Sequence, residues 1–130
     1  MNTILLVDER ISKTFLVYKL LRKLNLSDNI HIERGGINAL NFVQDFALMN
    51  NNQCPELIII NSALIQPDES HFLEYLRRVN FSNKEKVKLI ATGCLTESMD
   101  YKDIIVLPEP VTEQALLRVL ENPQFKTFAA

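Results

Sequence analysis

"IIINSALIQP", residues 58–67, begins with three isoleucines and then reaches an asparagine. An apolar run this dense is typical of a strand buried on both faces, as in a parallel sheet. In open α/β sheets the residue at the C-terminal end of such a strand lies where ligands bind. The run therefore predicts a central strand and makes Asn61 a candidate site residue.

The rest of the chain alternates between strand-like and helix-like segments. Strand-like runs occupy residues 3–7, 30–33, 57–60, 87–91 and 104–107. Apolar residues at helical spacing follow the first three runs, and Thr112 is placed to cap a final helix that runs through Leu120 and stops before Pro123. Five strands that alternate with helices predict a parallel sheet covered on both faces.

Composition narrows the class of protein. The chain has 130 residues, of which 47% are hydrophobic and 23% charged, so we expect one domain over residues 1–130 with no separate output domain. Net charge is −2 and the 14 basic residues are scattered, which argues against nucleic-acid binding. No window approaches the roughly 20 apolar residues of a membrane span.

We expect the protein to be cytoplasmic. Cys54 precedes the third strand and Cys94 follows the fourth, so parallel strands should hold them too far apart for a disulfide. Both should be free thiols, as in a reducing compartment. His31 and His71 show no metal-site pattern.

Polar residues follow the strands at the edge where their C-termini meet. They are Asp8 and Glu9 after the first strand, Asn61 after the third, Thr92 after the fourth and Glu109 after the fifth. In these segments, LLVDER (5–10), ATG (91–93) and EPVTEQALLRVL (109–120), the sequence resembles the receiver domains of two-component response regulators, over essentially its whole length. The resemblance implies a flavodoxin-like, doubly wound sheet of strand order 2-1-3-4-5.

The resemblance also implies roles for these positions. In that family an acidic pair after the first strand helps to hold Mg²⁺, and an aspartate after the third strand accepts a phosphoryl group. A Thr or Ser follows the fourth strand, and a Lys-Pro follows the fifth. Asn61 is then the equivalent of the phosphoacceptor, Thr92 and Glu109 are the equivalents of the phosphoryl pocket, and Asp8 and Glu9 are the candidate metal ligands.

Departures from the family pattern argue against the usual phosphotransfer. The amide oxygen of Asn61 is a poor nucleophile, and Glu109 replaces an attractive ammonium with a carboxylate that would repel phosphoryl oxygens. The segment between Thr92 and Glu109 is also about one helical turn shorter than usual, which predicts a stunted fourth helix around residues 94–101.

Each site residue also has a simpler interpretation. Asn61 could cap the following turn. Asp8 and Glu9 could be solvated loop acids or could hold Mg²⁺ weakly, since Asn61 supplies only a neutral oxygen. Glu109 could form a cluster with Asp8 and Glu9, but we expect it to point to water.

The predicted function is a stand-alone, non-enzymatic receiver-like domain in two-component (phosphorelay) signalling. It would act by contact with a protein partner, which could be a histidine kinase, another receiver including a second copy of itself, or an effector. Two alternatives remain: a receiver that is phosphorylated, for example at Asp8 or Ser62, and a small α/β enzyme or nucleotide-binding protein on the same fold. The absence of a Gly-rich loop after the first strand disfavours the last alternative.

Overall fold

The isoleucine run forms the central strand of a five-stranded parallel sheet. The computed structural model describes residues 3–65, 71–94 and 103–121. Strand order is 2-1-3-4-5, which confirms the predicted flavodoxin-like topology. The strands are β1 (Ile4–Val7), β2 (Ile30–Glu33), β3 (Leu57–Asn61), β4 (Lys88–Thr92) and β5 (Ile105–Leu107).

Helices cover both faces of this sheet. They are α1 (Ile11–Lys23), α2 (Gly36–Met49), α3 (His71–Arg78) and α4 (Glu113–Glu121), with short 3₁₀ turns at Ser62–Ile65 and Lys84–Lys86. Thr112 caps α4 as predicted, because its Oγ1 accepts the Ala115 N–H at 3.1 Å. Of the shortened segment predicted around residues 94–101, only Cys94 belongs to the described residues. The rest of that segment and Pro123 lie outside them.

Alternate residues of the central strand face two separate cores. Ile58 and Ile60 belong to the core under α2 and α3, whereas Leu57 and Ile59 belong to the core under α1 and α4. Since successive strand side chains point to opposite faces, a strand covered on both sides must be apolar at every position. This accounts for the uninterrupted run in the sequence.

Five strand boundaries differ by one residue from the predicted ones: the start of β1, the end of β3, both ends of β4 and the start of β5. Val87 still belongs to the preceding 3₁₀ turn, because its N–H bonds to the Lys84 carbonyl, and Lys88 begins the ladder by bonding to Glu56. The last strand starts at Ile105, which pairs with Ile90.

Both cysteines are free thiols, as predicted. Cys54 is buried and Cys94 is exposed. Burial raises the pKa of the Cys54 thiol to about 12. Cys54 therefore remains protonated near neutral pH and behaves as a small core residue.

A buried amide connects the start of β3 to the turn that precedes β4. The Asn83 side chain accepts the backbone N–H of Cys54 at 2.9 Å and donates to the Cys54 carbonyl at 2.8 Å. Neither end of this pair is exposed, so water cannot replace the bonds without a rearrangement.

We therefore expect Asn83→Ala to lower the free energy of unfolding by about 1–3 kcal/mol, the usual cost of leaving buried polar groups unpaired. Urea unfolding would measure the loss. Asn80→Ala is the matched control, since Asn80 is exposed and its backbone carbonyl, which accepts the Asn52 amide, is retained. Equal losses in the two variants would contradict a structural role for the Asn83 side chain.

Candidate functional site

The predicted site residues meet at the carboxyl edge of the sheet. Asn61 pairs in register with Thr92, and Thr92 pairs with Leu107, two residues before Glu109. Asp8 directly follows β1, whose last residue is in register with β3. Four of the five predicted residues, Asp8, Asn61, Thr92 and Glu109, therefore surround one crevice, and the first three are buried.

Arg10 lies between the two carboxylates of this crevice. Its guanidinium donates to Asp8 through Nε (3.0 Å to Oδ1) and one terminal nitrogen (2.9 Å to Oδ2). The same group donates to both oxygens of Glu109, at 3.2 Å and 2.7 Å. Because the guanidinium is planar and carries its donors in a fixed fork, it can bind two carboxylates at once. Arg10 is thus the cation that joins the end of β1 to the segment after β5.

Local backbone geometry holds Arg10 in this position. Arg10 is the residue that precedes α1, and its own N–H donates to Asp8 Oδ1 at 2.9 Å. Its carbonyl accepts the Thr14 Oγ1 hydroxyl at 2.9 Å and the Thr14 N–H at 3.0 Å. The hydrogen bonds to Asp8 and Glu109 raise the pKa of the guanidinium above its ordinary value, so Arg10 carries a positive charge at every accessible pH.

The sequence-based expectation for Glu109 was wrong, and Arg10 was missed altogether. Glu109 was expected to point to water, yet it turns into the crevice and pairs with Arg10. The expectation failed because a carboxylate beside Asp8 is unfavourable only when no cation lies between them. The sequence feature that could have indicated this pairing was the basic residue of Asp-Glu-Arg at residues 8–10, together with an acidic residue at position 109.

Asn61 forms a local contact of the capping type. Its Oδ1 accepts the Ala63 N–H at 3.5 Å, a long hydrogen bond that spans the first residues of the 3₁₀ turn. The contact agrees with the interpretation of Asn61 as a turn cap. It leaves a functional role open, since the side chain still borders the crevice.

Glu9 makes none of the contacts that join Asp8, Arg10 and Glu109. It is exposed and lines a different cavity of about 550 Å³, together with Arg34 and residues at the start of α2. In the described part of the chain, no group of three or more His, Cys, Asp or Glu side chains is placed to hold a metal ion. The arrangement of the donors does not fit Mg²⁺, because both Asp8 oxygens already accept bonds from Arg10 and an ion would have to displace the guanidinium.

The histidines lie away from these residues. His31 stacks on Phe42 with ring centroids 3.8 Å apart and contacts Glu33 at 3.0 Å, and His71 is exposed at the start of α3.

Gly93 allows the strand ends to approach each other closely. Its φ of +104° is a conformation that side-chain-bearing residues rarely adopt, and a Cβ there would lie 2.8 Å from Ser62 Oγ and 3.4 Å from Glu109 Oε1. The glycine thus brings the segments after β3, β4 and β5 together.

Comparisons with known proteins support the fold. No family model matches the sequence, and no curated protein matches it. Among solved structures, the chain is similar to one described as a co-crystal structure of the Saccharomyces cerevisiae histidine phosphotransfer signaling protein Ypd1 and the receiver domain of its downstream response regulator Ssk1. The TM-score is 0.60 at 19% sequence identity, over 89% of this chain and 83% of that chain. The likeness shows a receiver-like α/β fold.

Within residues 3–65, 71–94 and 103–121, no helix has the length and apolar character needed to cross a membrane.

We expect Gly93→Ala to destabilise the protein by about 1–3 kcal/mol, because the new methyl group would force either the backbone or Ser62 to move. Thermal and urea unfolding would measure the change. Gly35→Ala is the matched control: Gly35 has an extended φ of −154° and a Cβ there meets no atom within 4 Å. The control should lose up to about 1 kcal/mol, because glycine is a better N-cap than alanine, but it adds no steric clash and no strained φ. A Gly93 variant as stable as the Gly35 variant would contradict the close packing at this edge.

Proposed function

We propose that this chain is a non-enzymatic, receiver-like domain of two-component signalling that acts by protein contact and without phosphorylation at position 61. The fold similarity supports the class of protein. The observation that carries the proposal is the bridge from Asp8 through Arg10 to Glu109, at the edge of the sheet where Asn61 replaces a carboxylate.

Crevice chemistry favours this proposal over phosphotransfer at Asn61. An amide oxygen has its lone pairs delocalised and is a weak nucleophile toward phosphorus. The only cation of the bridge, Arg10, is already neutralised by two carboxylates, so the group as a whole is negative. An incoming phosphoryl group would meet net repulsion, which on the scale of a charge pair about 4 Å apart at an effective dielectric of about 20 amounts to about 4 kcal/mol per interaction.

The alternative acceptors are less accessible than a receiver would require. Ser62 is buried and lies directly against Gly93. Asp8 is buried, and both of its carboxylate oxygens accept hydrogen bonds from Arg10. Phosphorylation at either residue would first require the bridge or the strand edge to open.

A surface suited to a protein partner is the outer face of α1, where exposed apolar and basic side chains lie together. Ile11, Phe15 and Leu16 are 69%, 58% and 58% exposed. The buried residues of this helix are Thr14 and Leu21. Exposed apolar side chains grouped on one helix are typical of an interaction site. Lys19 lies over the Phe15 ring, with its Nζ 5.4 Å from the ring centroid.

Charge indicates the chemistry of the partner. The sequence of α1 contains four basic residues, Lys13, Lys19, Arg22 and Lys23, and no acidic one. A partner surface with apolar side chains surrounded by carboxylates would complement it. Pairing of two copies through α1 would bring these cations together, so a homodimer through this face is disfavoured. We propose a protein of the histidine phosphotransfer class as the partner, by analogy with the complex in the similar structure.

Phosphate incorporation tests the first part of the proposal. The wild type should take up no phosphate from acetyl phosphate, as measured by intact mass, and Asn61→Asp should react poorly because Arg10 and Glu109 still fill the crevice. The triple variant Asn61→Asp, Arg10→Ala, Glu109→Lys should react fastest, because it restores a nucleophile, frees Asp8 and supplies a cation.

The matched control is a second triple variant that carries Asn61→Ala with the same changes at Arg10 and Glu109, and it should not react. Phosphate on wild-type protein would overturn the proposal. Equal labelling of the two triple variants would show that the reacting group is elsewhere.

Binding measurements test the surface. With a histidine phosphotransfer protein from the same organism as probe, Phe15→Glu should weaken the affinity at least about 30-fold, as for a central apolar residue at an interface, where such a change costs about 2 kcal/mol. Leu48→Glu is the matched control, since Leu48 is 85% exposed on α2. Isothermal titration calorimetry that finds equal losses for both variants, or none for Phe15→Glu, would contradict the assignment of this face.

A further inference from the structure

A groove runs between α1 and the segment that joins β5 to α4. Its volume is about 430 Å³. One wall is formed by α1 side chains, and the other by Glu109, Pro110 and Val111. The shape of the groove therefore depends on where the 109–111 segment is held relative to α1.

Backbone pairing gives this segment little support. The strand before it, β5, has three residues, lies at the edge of the sheet and pairs only with β4 among the described strands. After the segment, Thr112 begins the cap of α4. Val111 packs against the core under α1 and α4 but is only partly buried.

The strongest polar restraint on the segment is the pair of hydrogen bonds between Arg10 and the Glu109 carboxylate, at 2.7 and 3.2 Å. Charge-assisted bonds of this two-pronged kind fix both distance and orientation. The ion pair between Lys23 and Glu113, at 3.0 Å, also joins α1 to the region after β5, but the Lys23 side chain is 71% exposed. Such exposed pairs contribute little.

Removal of the guanidinium would change the interaction across the crevice from attraction to repulsion. Asp8 and Glu109 would then be two carboxylates with no cation between them, and their repulsion would favour movement of Glu109 outward. Asp8 is the more buried of the two and follows β1 directly, so the mobile partner is Glu109.

From this geometry we propose that Arg10 is a resident cation that clamps the 109–111 segment against α1, so that the groove is permanently formed without any bound ion or phosphoryl group. The clamp makes the groove a fixed feature of the chain. It goes beyond the proposed function, since it concerns the conformation of the segment whether or not a partner binds there.

Amide hydrogen exchange on the full chain tests the clamp. In Arg10→Gln the Gly93 amide, which donates to the Leu107 carbonyl just before the segment, and the Ala115 amide, which donates to Thr112 Oγ1 just after it, should exchange at least about ten-fold faster than in the wild type, which corresponds to about 1.4 kcal/mol of lost local stability. Glu109→Gln should give the same pattern, because it removes the other half of the pair. Amides of the central strand, such as that of Ile58, should be unchanged and report that each variant is folded.

Two further variants make the test specific. Lys23→Gln removes the exposed ion pair on the same helix and should leave exchange at Gly93 and Ala115 as in the wild type. The double variant Arg10→Gln, Glu109→Gln should exchange no faster than the faster single variant, because both changes break one interaction.

Unchanged exchange at Gly93 and Ala115 in both single variants would overturn the proposal, and so would additive effects in the double variant. If Arg10→Gln does not fold, Glu109→Gln decides the matter alone. These results are independent of phosphate uptake and of partner affinity, so a failure here is distinguishable from a failure of the proposed function.

Discussion

Burial of β3 on both faces is the constraint from which the architecture of this chain follows. Each residue of Leu57–Asn61 is buried, and the side chains of residues 57–60 alternate between the two cores. A strand in this position has neighbours on both edges, and parallel neighbours require crossover helices that return along the faces. The two helical layers and the common edge of strand C-termini follow from it, and this edge is where Asp8, Asn61, Thr92 and Glu109 meet.

Charge at that edge is balanced within the chain. The crevice holds two carboxylates, Asp8 and Glu109, and the guanidinium of Arg10 contacts all four of their oxygens. An unpaired buried carboxylate is costly, whereas one that accepts charge-assisted hydrogen bonds is stable. Asn61, which is neutral, adds no further negative charge. Glu109 and Asn61, the two positions at which the sequence departs from the family that it resembles, are therefore mutually consistent once Arg10 is taken into account.

A domain whose crevice carries its own cation differs physically from one that uses a bound ion. In the latter, binding of a cation or a phosphoryl group supplies the energy for a conformational change. Here the cation is covalently part of the chain and precedes α1, the same helix that carries exposed Ile11 and Phe15. The crevice and the proposed contact surface are thus joined by one short segment, the start of α1.

Strand order, the burial of the central strand and the positions that meet at its C-terminal edge were all predictable from the amino-acid sequence. Burial of the central strand and the shared C-terminal edge follow from apolar periodicity, which is a local property, and from the rules for parallel sheets, whereas the strand order was implied by the family resemblance. The exact start of β4 was not predictable, because Val87 is apolar whether it belongs to a strand or to the 3₁₀ turn before it. The orientation of Glu109, the exposure of Glu9 beside the buried Asp8 and the role of Arg10 emerged only from the folded chain. Arg10 and Glu109 are 99 residues apart in sequence, and a long flexible side chain acquires its partner only when folding brings the two segments within reach of a hydrogen bond.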